Sequence, residues 1–274
     1  MKMSKMEKII IYIFLGIFTL YFLFPFVWMI LTAFKTEGEA FSFPPKIMPG
    51  VWHFDNFIKA WNSQPFYVYL KNSVIVTVLT TIGQVVSCSL VAYGFARYNF
   101  KGKNILFVLL LSTMMIPWDV TMIPLYMEFN AFKWINTLKP LIVPSFFASA
   151  YSVFLLRQFL MGIPRDFEEA AKIDGANDFQ IFSKIFVPIM RAPLILIGVL
   201  NILLVWNDYL GPLIFLQDRT KYTLALGLAS FKGVHNMQII PIMAITILMI
   251  IPPIIVFAFA QKYIVEGMSG GIKQ

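Results

Sequence analysis

The most chemically loaded stretch of the chain is polar and lies between two long apolar runs. It reads Glu169-Ala170-Ala171-Lys172-Ile173-Asp174-Gly175-Ala176, with Phe182, Ile185, Pro188 and Pro193 following. Asp166, Glu168 and Glu169 cluster at the start of a predicted helix, where carboxylates favour the positive end of the dipole. Ala170 and Ala171 keep the next turn slim, so that a partner groove can approach the backbone. Gly175 permits positive φ and a sharp reversal into a second helix from about Asn177. Pro188 and Pro193 then stand where that helix meets the next apolar run. A helix–turn–helix of this kind is stiff, and stiffness lets a docked loop transmit a rigid-body displacement. The plainer alternative is an ordinary loop in which Gly175 merely ends a helix.

Two further groups place polar chemistry in apolar surroundings. Trp206-Asn207-Asp208-Tyr209-Leu210 lies late in the fifth apolar run. An aromatic face beside an amide suits a carbohydrate ring, which makes Trp206 and Asn207 candidates for a solute path. The competing reading is an interfacial Trp with an Asn bonded to a neighbouring helix. Asp119, in Pro117-Trp118-Asp119, is an acid in the outer half of the third run. Intramembrane acids are functional suspects by default. Pro117 and Pro124 fit equally well a broken helix whose freed backbone Asp119 caps. Asp208 suits a solvated cap better than a proton relay, and Arg157 and Arg191 suit snorkelling cations.

Self-contained catalysis is not expected. No G-x-x-x-x-G-K-[ST] loop occurs; Phe100-Lys101-Gly102-Lys103-Asn104 lacks the earlier glycine and the Ser/Thr. Any ATP hydrolysis therefore comes from another chain. H-E-x-x-H and G-x-S-x-G are absent, and His53 and His235 are far apart in the sequence. Cys88, the single cysteine, excludes an internal disulfide or a cysteine metal site and reads as a small polarizable filler. The chain is expected to bind no metal and no cofactor of its own.

The elements that must position these residues are membrane helices. Of 274 residues 59% are hydrophobic and 13% charged, with mean hydropathy +0.75, whereas soluble domains carry about 25% charged residues. The net charge of +8 is spread between apolar runs, so it marks loops and topology rather than a nucleic-acid surface. The 28 Phe residues suit lipid-facing helices and interfacial belts. Six spans are expected near 9–33, 73–96, 105–126, 138–156, 193–213 and 239–259. The first run is too long for a signal peptide and is read as an uncleaved helix. Placing both termini in the cytoplasm puts 13 of the 22 Lys and Arg inside, most clearly in the loops after the second and fourth spans. The loop 35–71, with Pro44-Pro45 and Pro49-Gly50, is then an external lip with short interfacial helices. No repeat or linker divides the chain, so 1–274 reads as one transmembrane domain.

The pattern E-A-A-x-x-D-G-A, then F-x-x-I-x-x-P-x-x-x-x-P, resembles the cytoplasmic EAA loop of importer-type ABC transporter permeases, here approximately 165–193. Trp206-Asn207-Asp208-Tyr209 is similar to the W-N-[DE]-[FY] stretch of the carbohydrate permeases in that family. Gln261-Lys262-Tyr263-Ile264-Val265-Glu266-Gly267, ending Gly270-Gly271-Ile272-Lys273, is similar to their tail; Met268-Ser269 replaces a commoner leucine and threonine. The chain thus resembles the second, shorter permease of a maltose-type heterodimeric importer, over essentially its whole length.

That resemblance implies an all-α, six-span subunit of a prokaryotic cell membrane. Its partners would be a second permease, two ATPase subunits carrying ATP and Mg, and an extracytoplasmic solute-binding protein, with a sugar or oligosaccharide as the imported solute. It implies that Glu168, Glu169, Ala170, Ala171, Asp174, Gly175 and Ala176 couple to the ATPase, with Glu169 and its neighbours seated in its cleft and Asp174-Gly175 shaping the turn. It also implies that the tail around Gly270, Gly271 and Lys273 reaches the ATPase interface. In maltose-type importers the companion permease makes most sugar contacts, which weighs against the path reading of Trp206 and Asn207. Glycerol-phosphate or another polar solute is the alternative within the family. An ion-coupled secondary transporter is the alternative outside it, opposed by the scarcity of mid-span charge.

Overall fold

The first helix runs on through 5–33 although Pro25 lies inside it. In a computed structural model, which describes residues 4–232 and 238–269 with side chains as far as Tyr263, α1 spans Lys5–Ala33. Ser4 caps it: its hydroxyl accepts the Glu7 N–H at 3.2 Å, and the Glu7 carboxylate accepts the Ser4 N–H at 2.7 Å. None of the most apolar stretch of α1 is buried within the chain. Among the described residues every regular element is helical.

Contacts divide the chain into two units. The first comprises Met1–Tyr67 and Gly227–Ile251. After α1 it holds two short helices, α2 (Glu37–Ala40) and α3 (Asp55–Ser63), in the segment expected to form a lip with short helices. Phe34 packs on Trp52, Phe54 and Phe57 with centroids about 5 Å apart. Asn56 donates to the Ala33 and Lys35 carbonyls, each at 2.9 Å, and so closes the open end of α1. Lys35, fully buried, donates to the Lys46 carbonyl at 2.6 Å and sits 4.5 Å from the Trp28 ring centroid. Burial pushes its pKa below the usual lysine value, against the raising effect of Glu39.

The second unit comprises Val68–Leu226 and Pro252–Gln274. It contains most of α4 (Phe66–Arg97), then α5 (Lys103–Ser112), α6 (Trp118–Ala131), α7 (Lys139–Ile142) and α8 (Ala150–Met161). These are followed by α9 (Asp166–Ile173), α10 (Asp178–Ile181), α11 (Val187–Ile189), α12 (Arg191–Trp206), α13 (Leu210–Phe215) and α14 (Leu224–Ala229). The last helix, α15 (Ile239–Ser269), has its latter part here. The core is built on α4, α8, α10 and α12 with the segment between the last two; Cys88, Leu156 and Leu160, with Phe186 and Met190 of that segment, are wholly buried, and Ile181 and Ile197 nearly so.

Among the described residues four segments are long and apolar enough to cross a membrane: α1, α4, Lys139–Met161 and the Ile239–Tyr263 part of α15. Two bent pairs bring the number to six if each is one crossing. The first, Lys103–Met115 with α6, bends by 101° at Pro117; the second, Asp178–Ile189 with α12, bends by 76°. The fourth expected span is not one regular helix. Val143–Phe147 is a 3-10 turn and Ala148 has φ +58. Two side chains of α4 satisfy the backbone there: Ser87 accepts the Ala148 N–H at 3.2 Å, and Cys88 Sγ accepts that of Ser149 at 3.2 Å. Irregular backbone at membrane depth persists where protein groups satisfy it. Cys88 is thus more than filler. Gly83 lets the break approach, since a Cβ there would meet the Phe146 ring at 2.7 Å and Ser145 Oγ at 2.9 Å.

Candidate functional site

The helix–turn–helix is built as its residues dictate. Asp166, Glu168 and Glu169 occupy the first turn of α9. Its last turn closes with Gly175 N donating to the Lys172 carbonyl at 3.1 Å and Ala176 N to that of Ala171 at 2.9 Å. Gly175 has φ +81, and a Cβ there would meet nothing within 4 Å. Backbone conformation, not crowding, therefore selects glycine. Asn177 caps α10 reciprocally with Gln180, both bonds 2.9 Å. The helix continues as a π turn over Phe182–Phe186 and then as α11, which carries Pro188. The bend at Met190 follows, with Pro193 in the first turn of α12.

Arg97, the last residue of α4, gathers the elements around this loop. Its Nη2 donates to the Leu160 carbonyl at 2.8 Å and the Ile163 carbonyl at 3.0 Å, closing the end of α8. Its Nε lies 3.1 Å from Glu168 Oε1, and the two side chains are 5% and 14% exposed. The guanidinium also stacks over Phe186, 4.6 Å from the centroid. One cation thus binds α4, α8, α9 and the π turn. Beside it Tyr98 contacts Asp178; partial burial and that carboxylate push the tyrosine pKa up.

The loop accordingly has two sides. Ala171 is buried and Glu168 is engaged by Arg97, so both face the chain's own core. Glu169, Ala170, Asp174 and Gly175 are exposed, and Ala176 is half-buried. Ile173 is 87% exposed and Phe179 72%, placing large apolar side chains beside those polar ones. Exposed apolar side chains beside polar ones make this side of the loop a candidate interaction surface.

At the far end of α12, residues 204, 205 and 207–210 line a cavity of about 610 Å³ together with Trp118. Trp118 is fixed edge-on against Phe215, 6.3 Å between centroids. Asn207 lines this cavity while its amide donates to the Leu203 carbonyl at 2.8 Å. Asp208 accepts the Gly211 N–H at 3.1 Å, a backbone cap as expected, though half-buried rather than solvated. Asn136, at φ +60, accepts from Gln217 N at 3.1 Å and Asp218 N at 2.9 Å, tying the neighbouring loops together.

The other sequence candidates separate. Trp206 is 6% exposed and lines a different, apolar cavity of about 290 Å³ with Val78, Ile202, Pro252 and Pro253. Asp119 is exposed in the first turn of α6, immediately after the break at Pro117. Gly270, Gly271 and Lys273 lie outside the described residues. Arg191 donates to the Tyr263 hydroxyl at 2.8 Å. Among the described residues no three His, Cys, Asp or Glu gather into a metal site.

Sequence reasoning missed three participants: Arg97, Trp118 and Asn201. Trp118 carried one signal, its place directly after a helix-breaking proline. Asn201 is buried in α12 and donates to Thr80 Oγ1 at 3.3 Å and Thr81 Oγ1 at 3.0 Å, a polar tie to α4 inside the apolar core.

Residues 86–270 match the family model described as a binding-protein-dependent transport system inner membrane component. The chain is 34% identical over 270 residues to the arabinooligosaccharides transport system permease protein AraQ of Bacillus subtilis (strain 168), covering 97% of this chain and 96% of that relative. It is 31% identical over 269 residues to the lactose transport system permease protein LacG of Rhizobium radiobacter, covering 98% and 97%. Among solved structures, a chain of a bacterial ABC transporter involved in the import of the acidic polysaccharide alginate matches with TM-score 0.84. That match covers 96% of this chain and 99% of the other at 23% identity, a likeness of fold.

Proposed function

The chain belongs to the binding-protein-dependent transport system inner membrane component family, and from that premise we propose that it is the membrane-spanning permease subunit of a sugar or oligosaccharide importer. The observation that carries the solute class is the agreement of near-full-length relatives, AraQ and LacG, whose names specify arabinooligosaccharides and lactose. The reading has the chain as one transmembrane domain of six crossings in a prokaryotic cell membrane, with both termini cytoplasmic. It pairs with a second permease and two ATPase subunits, and receives solute from an extracytoplasmic binding protein.

The ATPase is held by the exposed side of the loop: Glu169, Ala170, Asp174 and Gly175, flanked by Ile173 and Phe179. ATP and Mg bind on the partner, and closure of the ATPases carries α9 and α10 inward. Arg97 passes that displacement to α4 and α8, because it binds both to α9. The bundle opens outward to take solute, and hydrolysis resets it. Of the expected path residues, Asn207 is retained, with Trp118 and Tyr209 around the same cavity offering ring faces to a sugar. Asp119 and Trp206 are path candidates only if the bundle rearranges during the cycle. The tail at Gly270, Gly271 and Lys273 remains a second ATPase contact on this reading.

The test is affinity purification of the solubilised chain, comparing wild type with a Gly175→Pro, Glu169→Lys double variant. Wild type should bring down an ATPase and a second permease, and the double variant should lose the ATPase while keeping the permease. A wild-type chain that purifies alone would sink the proposal in favour of a self-sufficient transporter.

A further inference from the structure

Between α4 and α8, at the start of α5, Asn99, Phe100, Gly102, Lys103, Asn104, Ile105 and Arg157 line a cavity of about 450 Å³. Two of these are cations and none is an acid. Lys103 Nζ donates to the Tyr98 carbonyl at 2.8 Å, and Arg157 Nε to the Phe95 carbonyl at 3.4 Å. Those bonds close the end of α4, but each uses one donor where lysine has three and arginine five. Among the described residues neither cation has a carboxylate within ion-pair distance, and Lys103 also lies in the repulsive field of Arg157 and Arg165. The Phe107 ring, 4.1 Å from the Arg157 guanidinium, fixes that cation in place. No side chain caps the first turn of the ten-residue α5.

Location decides what anion such a site meets. Lys103 opens the apolar segment Lys103–Met115, so the cavity stands at its polar boundary. Phe100 and Ile105, 44% and 68% exposed, supply apolar surface on the same rim. A soluble acidic partner would not need that surface, whereas a phospholipid presents a phosphate and an acyl chain together.

We propose that this cavity is a binding site for the headgroup of an anionic phospholipid, the phosphodiester held by Lys103 and Arg157 and the acyl chain laid on Ile105. The site rests on the membrane embedding of the proposed function and, for the leaflet, on its cytoplasmic placement of the α4–α5 loop. Basic pockets between spans on the cytoplasmic side recruit anionic headgroups in this manner.

The experiment is native mass spectrometry of the full-length chain released from nanodiscs of equal phosphatidylglycerol and phosphatidylcholine. Wild type should retain phosphatidylglycerol preferentially, and Lys103→Gln should reduce that preference roughly fivefold, the effect of one basic residue at a membrane surface. Lys103→Arg should restore it, and Lys101→Gln, beside the cavity, should leave it unchanged. The wild-type preference should also shrink as salt is raised. Equal retention of the two lipids, an equal effect of Lys101→Gln, or a salt-independent preference would overturn the site. So would complete displacement of phosphatidylglycerol by inorganic phosphate, which would mark a free-anion site. Loss of ATPase co-purification in Lys103→Gln with lipid retention intact would assign the cations to a partner's acid. Lipid retention is read on the chain alone, so it fails or succeeds independently of the co-purification test above.

Discussion

The two ends of α12 are built on opposite plans. At the Met190 end the loop elements are sealed onto the core: Met190 and Phe186 are wholly buried, and Arg97 closes two carbonyls while facing Glu168. At the Trp206 end the chain leaves α12 through Asn207, Asp208 and Tyr209, and a cavity of about 610 Å³ stays open between them and Trp118. A sealed end transmits force because nothing in it yields separately. An open end admits a ligand because its polar groups are capped by backbone and cost little when solvated. On the function proposed above, one helix would carry a mechanical terminus and a receptive one.

The contrast is sharpest at Arg97. Arg97→Ala leaves Glu168 half of a buried pair and frees the Leu160 and Ile163 carbonyls, so a loss of about 3–5 kcal/mol is expected. Thermal unfolding of the purified chain reads it, and a melting point equal to wild type would dissolve the idea of a sealed end. Gly175→Ala should cost about 1–2 kcal/mol for the left-handed backbone alone. Gly175→Asn should cost less, because Asn tolerates that conformation; equal melting points for the two variants would show that the turn rearranges. Asn207→Ala, at the open end, should stay within about 0.5 kcal/mol of wild type in stability. Solute uptake by the reconstituted importer should nevertheless fall severalfold. A large loss of stability with normal uptake would make Asn207 a structural residue and the two ends alike.

The loop was legible because its signals are local. Gly175 demands its turn, the acids of α9 stand where the dipole wants them, and Pro188 and Pro193 mark the junction with α12. Arg97 looked like one more loop cation, since its partners lie 63 and 66 residues away in sequence. The span expected at 138–156 hides its break for the same reason: Ser87 and Cys88, on another helix, satisfy the backbone at Ala148 and Ser149. Pro117 did announce the break before α6. It did not announce that Trp118, rather than Trp206, would line a cavity with Asn207, because that depends on where α6 turns after a 101° bend.

The π turn at Phe182–Phe186 has a geometric consequence of its own. In an uninterrupted α-helix the clock angle of each residue follows from its neighbour, about 100° per step. A wider turn inserts an offset into that count. Phe179, before the wide turn, points outward at 72% exposure, while Phe182 and Phe186 within it both point into the core, at 8% and 0%. The offset falls after Phe179 and before Pro188, so the face that α10 exposes and the face that α12 buries are set on separate counts.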